Sequence, residues 1–263
     1  MKQFLQNTKV IHFMEISIII VNYKTPKLTK ACVESIKKNP PKVPYEIIVI
    51  DNSKNNIGFA AGNNKGIRKA MGKYILLLNS DTEVKKGAID KLYEFAKGHP
   101  DAGAVVPKLL NPDGSTQPSC FRLPTLWLTI RQYWFGEKGL LDKYVPAISH
   151  QSSAIVEEAV MAAYLITPTA LKKVGLLDER YFFYFEDFDY ARRIKNARLK
   201  IYYLSDPEVV HHHGASGKNL VGWENQWRRL IPGSKVYHGF LGHHIIRIAM
   251  WISQKWEKLI SKG

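Results

Sequence analysis

The chain has 263 residues, 45% of them hydrophobic, which suits one large domain with an appendage and excludes general disorder. Thirty-eight Lys and Arg against 23 Asp and Glu leave +15, which calls for anionic partners: nucleic acid, anionic lipid or nucleotide phosphate. Two cysteines, Cys32 and Cys120, exclude a disulfide framework and a CxxC metal pair, and a reducing cytoplasm is the simplest home.

Residues 1–13 have no continuous apolar run and no small-residue cleavage site, so they read as a loose N-terminal extension rather than a signal peptide. Strands follow at 16–21 (ISIIIV), 45–50 (YEIIVI), 74–78 (YILLL) and 103–106 (GAVV). Their uninterrupted β-branched and aliphatic character is that of a parallel sheet buried on both faces. Helices are expected between them. PKLTKACVESIKK opens with Pro26 and sets Leu28, Cys32 and Ile36 four apart. Residues 60–71 and 86–97 are the next two, the latter with Ile89, Leu92 and Ala96 on one face. This alternation predicts an α/β fold with right-handed crossovers and ligands at the carboxyl ends of the strands. The polar residues sit there: Asn22-Tyr23, Asp51-Asn52 and Asn79-Ser80-Asp81.

The second half is less regular. Residues 107–125 read as a long Pro-, Asn-, Ser- and Gly-rich loop, 126–150 give no pattern, and 155–175 read as a strand or helix leading to Gly175. KIYYL (200–204) is a strand, followed by PEVVHHHGAS and a tail rich in Trp, Ile, Leu, Arg, Lys and His. No run reaches the about 18 apolar residues of a spanning helix.

Several constellations are candidates for chemistry. In an extended backbone Asn79 and Asp81 project to one side, which suits a hard cation carrying diphosphate; the same triplet also makes a polar turn. Asp51, at a strand's end, is placed for a ribose or base hydrogen bond, or equally for an N-cap or Asx turn. Gly58, Gly62 and Gly66 match neither phosphate-loop pattern and make a weak phosphate cradle. His211 and His213 fall on the opposite side of a strand from His212, which disfavours a triple-His zinc site. One His beside oxygen ligands remains an option, as does plain surface polarity.

YFFYFEDFDYARR (181–193) sets Glu186, Asp187 and Asp189 among aromatics. Capping of a buried helix accounts for one acid near the positive end of its dipole, and Arg192 and Arg193 offer partners one turn on. On a helix Glu186 and Asp189 share a side and Asp187 turns away. A carboxylate against rings, partly desolvated, has a raised pKa and makes a usable general base.

Taken in order, ISIIIVNYK, VIDNSKNNIGFAAGNNKGIRKAMGKYILLLNSDTEV, VGLLDERYFFYFEDFDYARR and VVHHHGAS resemble glycosyltransferase family 2, of GT-A fold, in its rhamnosyltransferase-like branch. The resemblance runs from about Ile16 to Ser216. It implies an α/β, mostly parallel sheet flanked by helices over 14–220; the residues of 221–263 themselves read as a basic amphipathic helical segment. It implies an inverting enzyme of polysaccharide assembly that takes a nucleotide-sugar donor and a saccharide or lipid-linked acceptor. By position, Tyr23 would lie against the base and Asp51 would accept from base or ribose. Asn79-Ser80-Asp81 occupies the DxD position, with Asp81 binding Mg²⁺ or Mn²⁺. Asp187, next to Glu186, matches the general base, and His211 approaches the metal or diphosphate. Two departures stand out: Asn79 replaces the first DxD acid, and Met161-Ala162 stands where Gly-Ala is usual.

A nucleotide-binding oxidoreductase would share the βαβ start, but VNYKTPKLT has no glycine for a pyrophosphate. A nucleic-acid-binding module would use the charge, yet the strand-end acids repel phosphate and no reading motif is present. The tail sets Leu241, Ile245, Ile248, Trp251 and Ile252 on one helical side, continued by Trp256 and Leu259. That suits either an anionic membrane surface or a helix packed on the core. The expected location is therefore cytoplasmic, peripheral at the inner face of the membrane.

Overall fold

A computed structural model describes residues 14–135, 137–148, 152–212 and 226–260, with the side chains of 226–229, 254 and 256–260 left out. Residues 1–13, His213–Ser216 and the expected boundary at 220 lie outside the described residues.

The first half alternates as its aliphatic runs require: β1 (Ile16–Asn22), α1 (Pro26–Lys38), β2 (Tyr45–Asp51), α2 (Phe59–Ile67), β3 (Tyr74–Asn79), β4 (Thr82–Val84), α3 (Ala88–Gly98) and β5 (Ala102–Leu110). There follow β6 (Cys120–Phe121), α4 (Leu126–Trp134), β7 (Ser153–Val156), β8 (Glu158–Ala159), β9 (Ala163–Ile166), α5 (Pro168–Lys173), α6 (Glu186–Asn196), β10 (Lys200–His211) and α7 (Gln226–Ile260). The main sheet has the order β2-β1-β3-β9-β5-β10-β4, with β7 added on β10, and β6 pairs with β8. β1, β2 and β3 run parallel, as do β5 and β10, whereas β9 joins the two groups by running antiparallel to β3 and β5. Two antiparallel steps restore the direction, so β1, β2, β3, β5 and β10 all end at one edge.

Strand β1 shows why the runs are mostly apolar. Ile16, Ile18 and Ile20 pack with Cys32 and Ile36 of α1 and Ile89 and Leu92 of α3. Ile19 faces the other way, toward Ala60 of α2, Ala170 of α5 and Tyr190 and Ile194 of α6. Helices on both faces leave little place on the strand for polar residues, and Ser17, buried in β1, has its hydroxyl satisfied by Glu46 Oε1 at 2.6 Å. The glycines of α2 serve this packing: a Cβ at Gly66 would lie 2.4 Å from Ile19 Cγ2, and one at Gly62 would lie 3.0 Å from Val21 Cγ1.

The irregular half departs from its expected pattern in two places. The strand expected over 103–106 continues to Leu110, through Pro107, and a turn at 111–115 replaces the start of the long loop. β10 runs seven residues past the expected KIYYL, because the ladder slips between Leu204 and Glu208 and so absorbs Pro207. The tail is two helices broken at Gly239 (φ 72°, ψ 166°), and the expected apolar stripe from Phe240 lies on the second.

Candidate active site

The shared strand edge collects the polar residues. Register pairs Asn22 with Asp51 at the ends of β1 and β2, and Val21 with Asn79 at the ends of β1 and β3. Asn22 organises the first turn: its Oδ1 accepts from Thr25 N–H at 3.1 Å and Thr29 Oγ1 at 3.1 Å, and its amide donates to Asp51 Oδ1 at 3.2 Å. Asp51 is exposed, and the Ser53 hydroxyl and N–H beside it hold its carboxyl below the usual range. Lys24, in the left-handed region (φ 57°), donates its N–H to Ser53 Oγ at 3.0 Å and sets its ammonium 5.5 Å from the ring of half-buried Tyr23. Tyr23 and Asp51 thus lie on two adjoining loops tied together through Ser53.

The Asn79-Ser80-Asp81 triplet is a turn, not an extended segment. Asn79 closes β3 half-buried, and the chain folds back through Ser80 and Asp81 into β4, which pairs with β10. The side-by-side projection expected of Asn79 and Asp81 therefore has no extended backbone to rest on. Asp81 is 2% exposed, and its carbonyl accepts from His212 N–H at 2.9 Å.

The last strand brings His211 beside it, with Nε2 3.6 Å from Asp81 Oδ1. Gln117 sets the tautomer: its amide nitrogen donates to Asn111 Oδ1 and the His211 carbonyl, which leaves Oε1 to accept from His211 Nδ1–H at 2.7 Å. In neutral His211 the Nε2 lone pair therefore faces Asp81. An imidazole held from behind by an amide oxygen, next to a carboxylate, is a donor set suited to a divalent cation that takes its other ligands from diphosphate and water. No group of three or more His, Cys, Asp or Glu assembles among the described residues, so the protein's share of such a site is small. His212 turns away to Glu83, 2.8 Å off, as strand alternation requires.

The aromatic stretch reaches the same edge from below. Buried Asn64 of α2 exchanges hydrogen bonds with the backbone of Leu177 in both directions, pinning the segment that rises to it. At the top, Phe59 N–H donates to the Phe182 carbonyl at 2.8 Å, and Gly58 (φ 90°) lies so close that a Cβ would sit 2.5 Å from that oxygen. Tyr184 and Phe185 then take left-handed conformations (φ 70° and 71°), an uncommon pair for bulky residues, and aim α6 downward from Glu186.

The three acids separate. Asp189 is buried and paired with Arg193 at 2.7 Å and Arg192 at 3.2 Å; it is the structural acid of the group. Glu186 is buried, and loss of hydration, reinforced by the charge of Asp187, raises its carboxyl well above the ordinary range. Asp187 is half-buried and accepts from Phe188 N–H at 2.8 Å. Its carboxyl is raised too, because removal from water outweighs the Phe188 N–H and the positive charge of Lys143. Sequence reasoning missed a fourth carboxyl, Glu158 on β8, which is 0% exposed and meets Asp187 at hydrogen-bonding range. The signal was the doubled acid of VEEAV: on a strand one of two neighbours must face inward.

The family model for glycosyl transferase family 2 matches residues 52–138. An N-acetylglucosaminyl-diphospho-decaprenol L-rhamnosyltransferase of Mycobacterium tuberculosis is 31% identical over 147 residues, 54% of this chain and 48% of that protein. A low-salt glycan biosynthesis hexosyltransferase of Haloferax volcanii is 26% identical over 223 residues, 75% of this chain and 67% of that one. The chain thus spans about half the length of the mycobacterial relative. A crystal structure of GalNAc-T7 with UDP, GalNAc and Mn²⁺ shares the fold, with a TM-score of 0.59 at 15% identity over 76% of this chain and 43% of that one. The chain is thus similar to glycosyltransferase family 2 over residues 52–138, on a sheet of the GT-A fold.

Proposed function

We propose that the protein is an inverting glycosyltransferase that moves a sugar from a nucleotide-sugar donor to a hydroxyl of a saccharide or lipid-linked acceptor in glycan assembly. The observation that carries this reading is a half-buried carboxylate, Asp187, raised by removal from water, on the aromatic stretch that Gly58 and Phe59 hold against the loop after Asp51. Asp51 and Tyr23 receive the nucleoside, one as acceptor and one as a ring surface. Asp187 takes the proton of the acceptor hydroxyl as that oxygen forms its bond to the anomeric carbon. The bond to the diphosphate breaks on the opposite face, so a single displacement inverts the centre and needs no second nucleophilic carboxylate. Mg²⁺ or Mn²⁺ held by Asp81 and His211 would supply positive charge to the departing diphosphate. The exposed rings of Phe182 and Phe183 offer apolar surface for the acceptor sugar.

The test is a screen of nucleotide-sugars for transfer or hydrolysis with divalent metal present, run on the wild type and Asp187→Asn. Loss of a general base costs about 10²–10⁴ in rate. The variant should lose that much turnover while binding nucleoside diphosphate normally. A folded protein that binds a nicotinamide cofactor and no nucleoside diphosphate would overturn the reading.

The second part of the proposal is a place, the anionic inner surface of a membrane. No helix among the described residues is long and apolar enough to cross one. Instead the second half of α7 is amphipathic the wrong way round for a core helix. It buries His243, Ala249 and Ser253 and exposes Phe240, Leu241, Ile245, Ile248, Trp251 and Ile252. The buried stripe is fixed to α4, where Trp134 Nε1 donates to the Ala249 carbonyl at 3.2 Å and Ser253 Oγ to the Tyr133 carbonyl at 2.5 Å. α4 adds exposed Trp127 and Phe135 to the apolar face. Interfacial Trp, a helix lying flat and a net charge of +15 suit an anionic leaflet.

A further inference from the structure

The Glu158 carboxyl is enclosed completely, and no N–H or hydroxyl donor reaches either of its oxygens. Its hydrogen-bonding contact is with the carboxyl of Asp187. Two carboxylates cannot form that bond, because each offers only lone pairs; one of the two must keep a proton. The surroundings agree. Glu186 and Asp187 approach from α6, Cys120 from β6, Lys143 and Tyr144 from the segment before β7, Tyr164 from β9 and Tyr237 from α7. Of these groups Lys143 is the cation, set against three carboxyls, so full ionisation would leave a net negative charge out of water. Glu158 is the most deeply enclosed of the pair, whereas Asp187 has a backbone N–H to stabilise its anion.

We propose that Glu158 is a positioning residue that stays a neutral carboxylic acid and donates its proton as a hydrogen bond to the Asp187 carboxylate. The bond leaves Asp187 ionised and restrained, ready to accept a proton from an acceptor. Glu158 touches no substrate in this arrangement; it acts through Asp187. The role, though not the shared proton, rests on Asp187 being the base. Burial raises the Glu158 carboxyl well above the usual range, and the Asp187 charge raises it further, both of which favour its protonated form.

Infrared difference spectra of the full chain at neutral pH test the proton without any substrate. Wild type minus Glu158→Gln should show the C=O stretch of a protonated acid. The same band should persist, shifted, in Asp187→Asn. A carboxylate signature in the first spectrum, or loss of the acid band in Asp187→Asn, overturns the assignment. The role is tested on whichever nucleotide-sugar is turned over. Glu158→Leu should lower kcat about 10–100-fold with little change in KM, as for other lost supporting hydrogen bonds. Gln, which can still donate, should restore most of that rate. Wild type should lose activity on the alkaline side as Glu158 ionises beside Asp187, and Glu158→Gln should lack that decline. A Gln variant as poor as Leu would sink the positioning role even if the infrared result stood. Absence of any turnover, with the acid band present, would instead count against Asp187 as the base.

Discussion

At the scale of single residues, the proposed site depends on how neighbouring groups orient its acceptors. Gln117 makes the point for His211: its Oε1 accepts from Nδ1–H and so leaves the Nε2 lone pair facing Asp81. Asp81→Ala should therefore abolish metal-dependent binding of a nucleoside diphosphate, measured calorimetrically with and without Mn²⁺. Gln117→Leu should weaken it about 10–100-fold, the usual effect of losing the partner behind a metal-binding imidazole. Equal binding by Gln117→Leu would mean that His211 is not a ligand. Stability should carry the mark of Glu158. A carboxyl raised by folding favours the native state below its unfolded pKa, and that contribution is lost as pH climbs toward the folded value. Glu158→Gln removes the titration, so its melting temperature relative to wild type should rise from mildly acid to alkaline pH. A pH-independent difference would show that Glu158 is ionised or exposed in solution.

At the scale of elements, close backbone approaches tie the nucleotide side of the edge to the acid side. Gly58 is the tightest: it has positive φ and no space for a Cβ against the Phe182 carbonyl. Gly58→Ala faces backbone strain of about 1–3 kcal/mol and must also push Phe182 away, which disturbs the turn at Tyr184 and Phe185 that starts α6. Chemical denaturation should show at least that loss, and the folded fraction should turn over more slowly than wild type. Full activity would mean that the loop and the aromatic stretch move independently. α7 presses on the same turn from the other side, since a Cβ on Gly233 would lie 2.8 Å from the Tyr184 carbonyl. Arg192 also donates to the Tyr237 carbonyl at 3.0 Å and stacks over its ring. The first half of the tail thus belongs to the packing of the acid helix.

At the scale of the whole molecule, the second half of α7 is the unusual feature. Leu241 is 75% exposed and Trp251 60%, values that a helix covering a core would not show. Ile248→Glu combined with Trp251→Glu alters only exposed positions, so the melting temperature should hold. Flotation with anionic liposomes should nevertheless fall sharply, and wild-type binding should weaken with added salt. Each basic residue near an anionic leaflet contributes about 1 kcal/mol. If the intact protein ignores liposomes but self-associates in sedimentation, and the double variant is monomeric, the face is a protein interface instead.

The aliphatic runs and their period by themselves determined β1, β2, β3 and the helices α1 to α3, because a strand covered on both sides is apolar at most of its positions. Four short motifs in order carried the resemblance to glycosyltransferase family 2, and from it came the candidates Tyr23, Asp51, Asn79, Asp81, Glu186, Asp187 and His211. Local pattern failed where the partner is distant in sequence. Pro107 and Pro207 read as breaks, yet both fall within paired strands, Pro207 in a slip of the ladder that only β5 and β10 together create. Of the neighbours Glu157 and Glu158, one caps the Leu123 N–H and the other meets Asp187; the choice follows from the pairing of β8 with β6. Which face of α7 is buried was likewise undecided by its pattern. Its apolar stripe fits a core as well as a membrane, and the hydrogen bonds that Trp134 gives to the Ala249 carbonyl and Ser253 gives to the Tyr133 carbonyl hold the opposite stripe inward. Hydrophobic periodicity reports how much surface an element must hide, whereas the direction in which it hides depends on the elements that reach it first.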